Sequence, residues 1–142
     1  MALIVQKFGG TSVGSVERIK AVAEKVKGFR AKGHDIVVVV SAMSGETNRL
    51  IGLADEIQSR PVAAEYDTLV STGEQVTIAL LSMALQEIDC PAQSFTGWQL
   101  GMHTDDSHAK ARIKKIDELP IRGALDQGKV AVVAGVQRIT AG

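Results

Sequence analysis

The 142-residue chain has one cysteine, no excess charge of either sign and no long apolar run. Each absence removes a class of protein. Cys90, standing alone, can form neither an intrachain disulfide nor a cysteine-based zinc site, and a lone thiol suits a reducing cytoplasm. Basic and acidic residues balance at 16 each, which argues against a nucleic-acid scaffold or a membrane-surface binder. Residues 1–7 lack the basic start and long apolar core of a signal peptide. No apolar run reaches the roughly 20 residues that span a bilayer. His34, His103 and His108 show no metal-ligand spacing and read as exposed polar residues, while Asp105-Asp106 reads as a solvated turn. Trp98 beside Gly97 reads as packing. Without internal repeats or a low-complexity linker, the chain is expected to form one soluble cytoplasmic domain with a proper core.

The elements follow from local pattern. Leu3-Ile4-Val5 reads as a short buried strand. Ser15 is placed to cap a helix with Glu17 in its first turn, apolar residues recurring from Val16 to Phe29, and Gly33 at its end. Ile36–Val40 is a β-branched run suited to a central parallel strand. A second helix is expected from Glu46 to about Gln58. A third runs from about Ala64 to Glu87, with an interruption at Ser71-Thr72-Gly73 and an apolar second part, Val76–Leu85. A strand at Pro91–Phe95, an irregular excursion over Gly97–Ser107 and an exposed strand at Ala111–Ile116 come next. A short helix, about Leu119–Gln127, and a buried strand, Val130–Ala134, complete the series. Alternating strands and helices predict right-handed crossovers, a parallel sheet and helices on both faces. Ligands of such sheets bind off the carboxyl ends of the strands, which points to residues 8–14, 41–47 and 135–142.

The first of these loops carries a phosphate-binding combination. Lys7 closes an apolar strand and needs an anionic partner or a cleft. Gly9 and Gly10 let backbone N–H groups approach a ligand, Thr11 and Ser12 add hydroxyls, and the next helix points its positive end the same way. The plainer alternative is a tight strand-to-helix turn with a snorkelling lysine. The lysine precedes the glycines, so this is not a Walker A loop, and Gly9, Gly10 and Gly14 miss the dinucleotide spacing. In the second loop Ser41, Ser44, Gly45, Thr47 and Asn48 read first as helix-capping residues. Glu74 reads either as a first-turn acid favoured by the helix dipole or as the partner of a substrate ammonium group.

Taken together, Lys7-Phe8-Gly9-Gly10-Thr11-Ser12-Val13 closely resembles the opening signature of the aspartokinases, within the amino acid kinase superfamily. Ser41-Ala42-Met43-Ser44-Gly45 with Thr47 is similar to that family's second loop, and Ser71-Thr72-Gly73-Glu74 to its third motif. Gln93–Gly97, Thr104-Asp105-Asp106 and Ala111-Arg112-Ile113 continue the match in order, so the resemblance covers about residues 2–135. It implies a three-layer αβα fold with a mainly parallel sheet. It also implies transfer of the ATP γ-phosphoryl group to the side-chain carboxylate of L-aspartate, giving 4-phospho-L-aspartate. Lys7 would be catalytic, with phosphate and ATP contacts from Lys7, Phe8, Gly9, Gly10, Thr11 and Ser12. Ser41, Thr47 and Glu74 would hold aspartate, Mg²⁺ would travel on the nucleotide, and the full-length family member would be a homo-oligomer. Val136-Gln137-Arg138 departs from the family's Phe-Gln-Gly, and the later Gly-Arg-Gly-Gly-Ser-Asp segment, nucleotide-base pocket and regulatory domains are missing. The 142-residue chain is therefore expected to be the substrate-binding portion of the kinase domain, with an open sheet edge and no turnover by itself. The alternatives are a non-catalytic aspartate- or phosphate-binding chain, and a superfamily member with a different acidic substrate.

Overall fold

A computed structural model describes residues 2–60, 62–96 and 118–135. The element order is β1 (Leu3–Phe8), α1 (Val16–Ala31), β2 (Asp35–Val40), α2 (Glu46–Ile57), α3 (Ala63–Glu87), β3 (Ala92–Phe95), α4 (Glu118–Asp126) and β4 (Val130–Ala134). The strands form one parallel sheet in the order β1-β2-β4-β3. Helices cover both faces, which makes the three-layer αβα arrangement expected from the alternating pattern. Val38, Val40, Val130 and Val132 pack with Ile19, Val26 of α1 and Ile78, Leu81, Leu85 of α3. On the opposite face Val37, Val39, Ala131 and Val133 meet Ile121, Ala124 and Leu125 of α4. The β-branched runs of β2 and β4 are central because only there are both faces of a strand covered.

Local chemistry fixes the element ends. Ser15 caps α1, its hydroxyl accepting from the Arg18 amide at 3.2 Å. Gly33, with φ of 93°, turns the chain into β2 at a conformation that disfavours a side chain. Among the described residues, β1 pairs only with β2 and lies at the edge. This corrects the expectation of a buried strand: Leu3 is 51% exposed and Val5 42% exposed. Those residues share a sheet face with Val37 and Val39, on the side where α4 packs farther along, against β4 and β3.

The third helix also differs from expectation. α3 runs unbroken for 25 residues through Ser71-Thr72-Gly73. The Ser71 hydroxyl donates to the Thr68 carbonyl (2.9 Å) and the Thr72 hydroxyl to the Leu69 carbonyl (2.7 Å). Side chains that could have competed with the helix are thus turned back onto it. Its later part is not buried all round, since Val76 and Met83 are exposed while Ile78, Leu81 and Leu85 form the core face. α3 has the length and mean hydropathy (1.2) of a membrane span, but its apolar face is spent on the sheet. His34 is half-buried rather than exposed, and its Nδ1 has no hydrogen-bond partner among the described residues. The expected excursion at 97–107 and strand at 111–116, with Trp98, His103, His108 and Asp105-Asp106, lie outside the described residues.

Candidate active site

The carboxyl ends of β1 and β2 feed two loops that are bonded to each other. The Ser41 amide donates to the Phe8 carbonyl at 3.4 Å, extending the β1–β2 ladder by one step, and the Ser44 amide donates to the Gly10 carbonyl at 3.1 Å. In the first loop the Ser12 amide closes a turn onto the Gly9 carbonyl at 3.0 Å. The Gly10 and Thr11 amides have no backbone acceptor among the described residues, which suits donation to an anion. A Cβ at Gly10 would stand 3.1 Å from the Ala42 carbonyl oxygen, so a side chain there would press the two loops apart by a few tenths of an ångström. Arg18 was not anticipated from the sequence. Its guanidinium reaches back to the Thr11 carbonyl at 3.3 Å and places a cation beside the first loop.

The second loop turns into α2 through Gly45, whose φ is 88°. Among the described residues no side chain caps α2. Ser44, Thr47 and Asn48 are therefore not the capping residues that their types suggested; they line a cavity instead. That cavity has a volume of about 560 Å³ and is floored by Gly10 and the loop from Ser41 to Gly45. Thr47 and Asn48 form one wall, and Tyr66, Asp67, Val70, Ser71 and Glu74 of α3 form the other. Glu46 lies at the start of α2, where Arg49 pairs with it at 3.0 Å and holds its carboxyl below the usual range.

Glu74 is 5% exposed and is the twelfth residue of α3, counting from Ala63. The first-turn reading is thereby corrected, because the helix dipole acts only within the terminal turn. The Glu74 side chain lines the cavity wall rather than the helix end. Tyr66, Asp67 and Val70 were missed by sequence reasoning. The signal was present as a helical period: 66, 67, 70, 71 and 74 lie on one face once α3 is continuous.

The structure brings Gly10, Ser41, Thr47 and Glu74 together around the cavity. It does not bring Lys7, Phe8, Gly9, Thr11 or Ser12 into its lining. Lys7 is exposed and sits opposite Val39 in the ladder, on the α4 side of the sheet. Phe8, half-buried, packs against the α1–α3 core. Gly9 and Thr11 are exposed and Ser12 is half-buried. The positive end of α1 is already occupied by Ser15 and bears Glu17, so it is less available to an anion than expected. Of the third loop, Gly135 alone is described. Its amide donates to the Val40 carbonyl at 2.7 Å.

A cavity off the carboxyl ends of a parallel sheet, beside a glycine loop whose Gly10 and Thr11 amides have no backbone acceptor among the described residues, defines a class: an α/β protein with its cleft where such sheets take small ligands. The particular family follows from wider likeness. The Amino acid kinase family matches residues 2–142, and the chain belongs to that family. It is 66% identical over 139 residues to an aspartokinase of Pseudomonas aeruginosa, covering 98% of this chain and 34% of that protein. It is 53% identical to aspartokinase 2 of Bacillus subtilis over 140 residues, covering 99% of this chain and 34% of that protein. The solved aspartate kinase of Synechocystis superposes with a TM-score of 0.79 at 52% identity, over 96% of this chain and 22% of that one. The structure of Escherichia coli aspartokinase III with aspartate and ADP shares the fold, with a TM-score of 0.73 at 22% identity, over 95% of this chain and 40% of that one. The chain thus spans about a third of the length of the curated relatives it matches.

Proposed function

We propose that this chain is the acceptor-binding portion of a cytoplasmic aspartate kinase, which phosphorylates the side-chain carboxylate of L-aspartate with ATP at the entry to lysine, threonine and methionine synthesis. The observation that carries the reading is Glu74, buried in the wall of a hydroxyl-lined cavity whose floor is continuous with the glycine loop. Glu74, with Asp67 in the same wall, offers negative charge to the substrate ammonium group. Ser41, Thr47 and Asn48 offer donors to its carboxylates. The side-chain carboxylate is then directed toward Gly10, where the phosphoryl group would arrive.

In the reaction a carboxylate oxygen forms a bond to the γ-phosphorus, the bond from that phosphorus to the β–γ bridging oxygen breaks, and ADP leaves. The protein's task is positioning and charge neutralisation. The Gly9 and Gly10 backbone would hold phosphoryl oxygens with the Thr11 and Ser12 hydroxyls beside them, and Lys7 would neutralise the transferring charge from the strand end. Among the described residues no group of three His, Cys, Asp or Glu could hold a metal. Mg²⁺ is proposed to arrive on the nucleotide. The longer protein is proposed to be a homo-oligomer.

Formation of aspartyl phosphate by this chain joined to the C-terminal part of an aspartokinase relative tests the proposal. Activity should fall at least a hundredfold in Lys7→Ala, on the scale expected for one charge-stabilising donor. Unchanged activity in that variant removes Lys7 from the mechanism. Preferential competition by a different acidic metabolite, with aspartate unphosphorylated, would reassign the substrate.

A further inference from the structure

Gly73 sits in the interior of α3, where glycine is a poor helix former. Its reason for being there is contact. A Cβ built at Gly73 would lie 3.0 Å from the Ala42 Cβ, 3.5 Å from Leu50 Cδ1 and 3.8 Å from the Glu46 Cβ. Gly28, Gly52 and Gly123, also in helices, have nothing among the described residues within 4 Å of the same position beyond their chain neighbours and their own helix backbone. At Gly73 alone among these helical glycines does the bare backbone permit an approach between elements.

The neighbour it meets has little room to give. Ala42 is buried in the second loop. That loop is held on one side by the Ser44 amide on the Gly10 carbonyl. At its start it is held by the Ser41 amide on the Phe8 carbonyl, and the end of β2 that feeds it is held by the Gly135 amide on the Val40 carbonyl. A methyl group at position 73 would therefore press α3 and the second loop apart. Glu74, next to position 73, and Ser71, two residues before it, would shift relative to Thr47, which lines the same cavity.

We propose that Gly73 is a positioning residue: its missing side chain sets the separation of α3 from the second loop, and so the placement of Glu74 against the acceptor. The ligand named here rests on the aspartate reading, whereas the contact itself does not.

The test is calorimetric titration of L-aspartate into the 142-residue chain and into Gly73→Ala, Gly52→Ala and the double variant Ala42→Gly/Gly73→Ala, with a thermal-stability cycle over positions 42 and 73. The expected result is aspartate affinity weaker by about tenfold in Gly73→Ala, on the scale of a sub-ångström misplacement. Affinity should be unchanged in Gly52→Ala and largely restored in the double variant, where the opposing methyl is gone. Unaltered affinity in Gly73→Ala overturns the proposal, as does failure of Ala42→Gly to restore it. Should the parent chain bind no aspartate, the substrate reading falls and the stability cycle decides. Coupling between positions 42 and 73 then upholds the contact, and additive shifts overturn it. If Gly73→Ala does not fold, the double variant must fold, and failure of both overturns the proposal.

Discussion

Glu74 is a carboxylate withdrawn from water in the middle of a helix, facing hydroxyls across a cavity. Replacing it with Gln keeps the shape and removes the charge. A hydrogen bond to a charged group contributes about 1.5–3 kcal/mol, so Glu74→Gln should weaken aspartate binding at least tenfold in a titration. Cys90 gives a second residue-scale expectation. Burial pushes its thiol up, and nearby Arg30 and Lys27 only partly offset this. A thiol reagent at neutral pH should label the folded chain far more slowly than the unfolded one. Because the native pKa is the higher, the neutral thiol favours the fold below the unfolded pKa, and this contribution is lost as pH rises through the native value. The place of Thr47 and Glu74 at the cavity was legible only as residue types in the second and third motifs, because Ser, Thr, Asn and Glu near a helix start are also what capping requires. The left-handed Gly45 at the start of α2 separates the two readings for Thr47, and the unbroken course of α3 does so for Glu74.

At the scale of elements, α3 binds the fold together. Its Leu81 and Leu85 are fully buried between α1 and the sheet, while its first half forms the cavity wall. Leu81→Ala should cost about 2–5 kcal/mol in denaturant unfolding, as expected for a leucine truncated in a closed core. The spans of α1, β2, α2 and β4 followed from hydrophobic period and punctuation, because burial on one face imposes a period that composition displays. The unbroken course of α3 did not follow. Ser, Thr and Gly are individually weak helix formers, and their retention depends on back-bonded hydroxyls and on Gly73 meeting Ala42, neither of which a single segment displays.

At the scale of the molecule, among the described residues, one face of the sheet is covered by α1 and α3 and the other is covered by α4 only in part. The α4 face of β1 leaves Leu3 and Val5 exposed beside an edge with unpaired backbone among the described residues. Such edges pair with other chains unless charge prevents it. The 142-residue chain should accordingly show concentration-dependent association by light scattering, reduced in Leu3→Lys/Val5→Lys. A parallel α/β sheet was legible from the alternation of elements. The position of β1 was not, since Leu3-Ile4-Val5 has the composition of a central strand and strand order is settled by crossovers over long stretches of chain. Lys7 belongs to the same scale. It was expected as one part of a compact anion cradle, and the structure places it near the end of β1, outside the lining of the cavity.

The central claim is that this cavity holds an acidic amino acid through Glu74. An NMR titration of L-aspartate into the isotope-labelled chain tests it most directly. The account predicts saturable shifts at the amides of Gly45, Thr47, Ser71 and Glu74, abolished in Glu74→Gln. An absence of saturable shifts there at tens of millimolar aspartate, or equal shifts in Glu74→Gln, would contradict it.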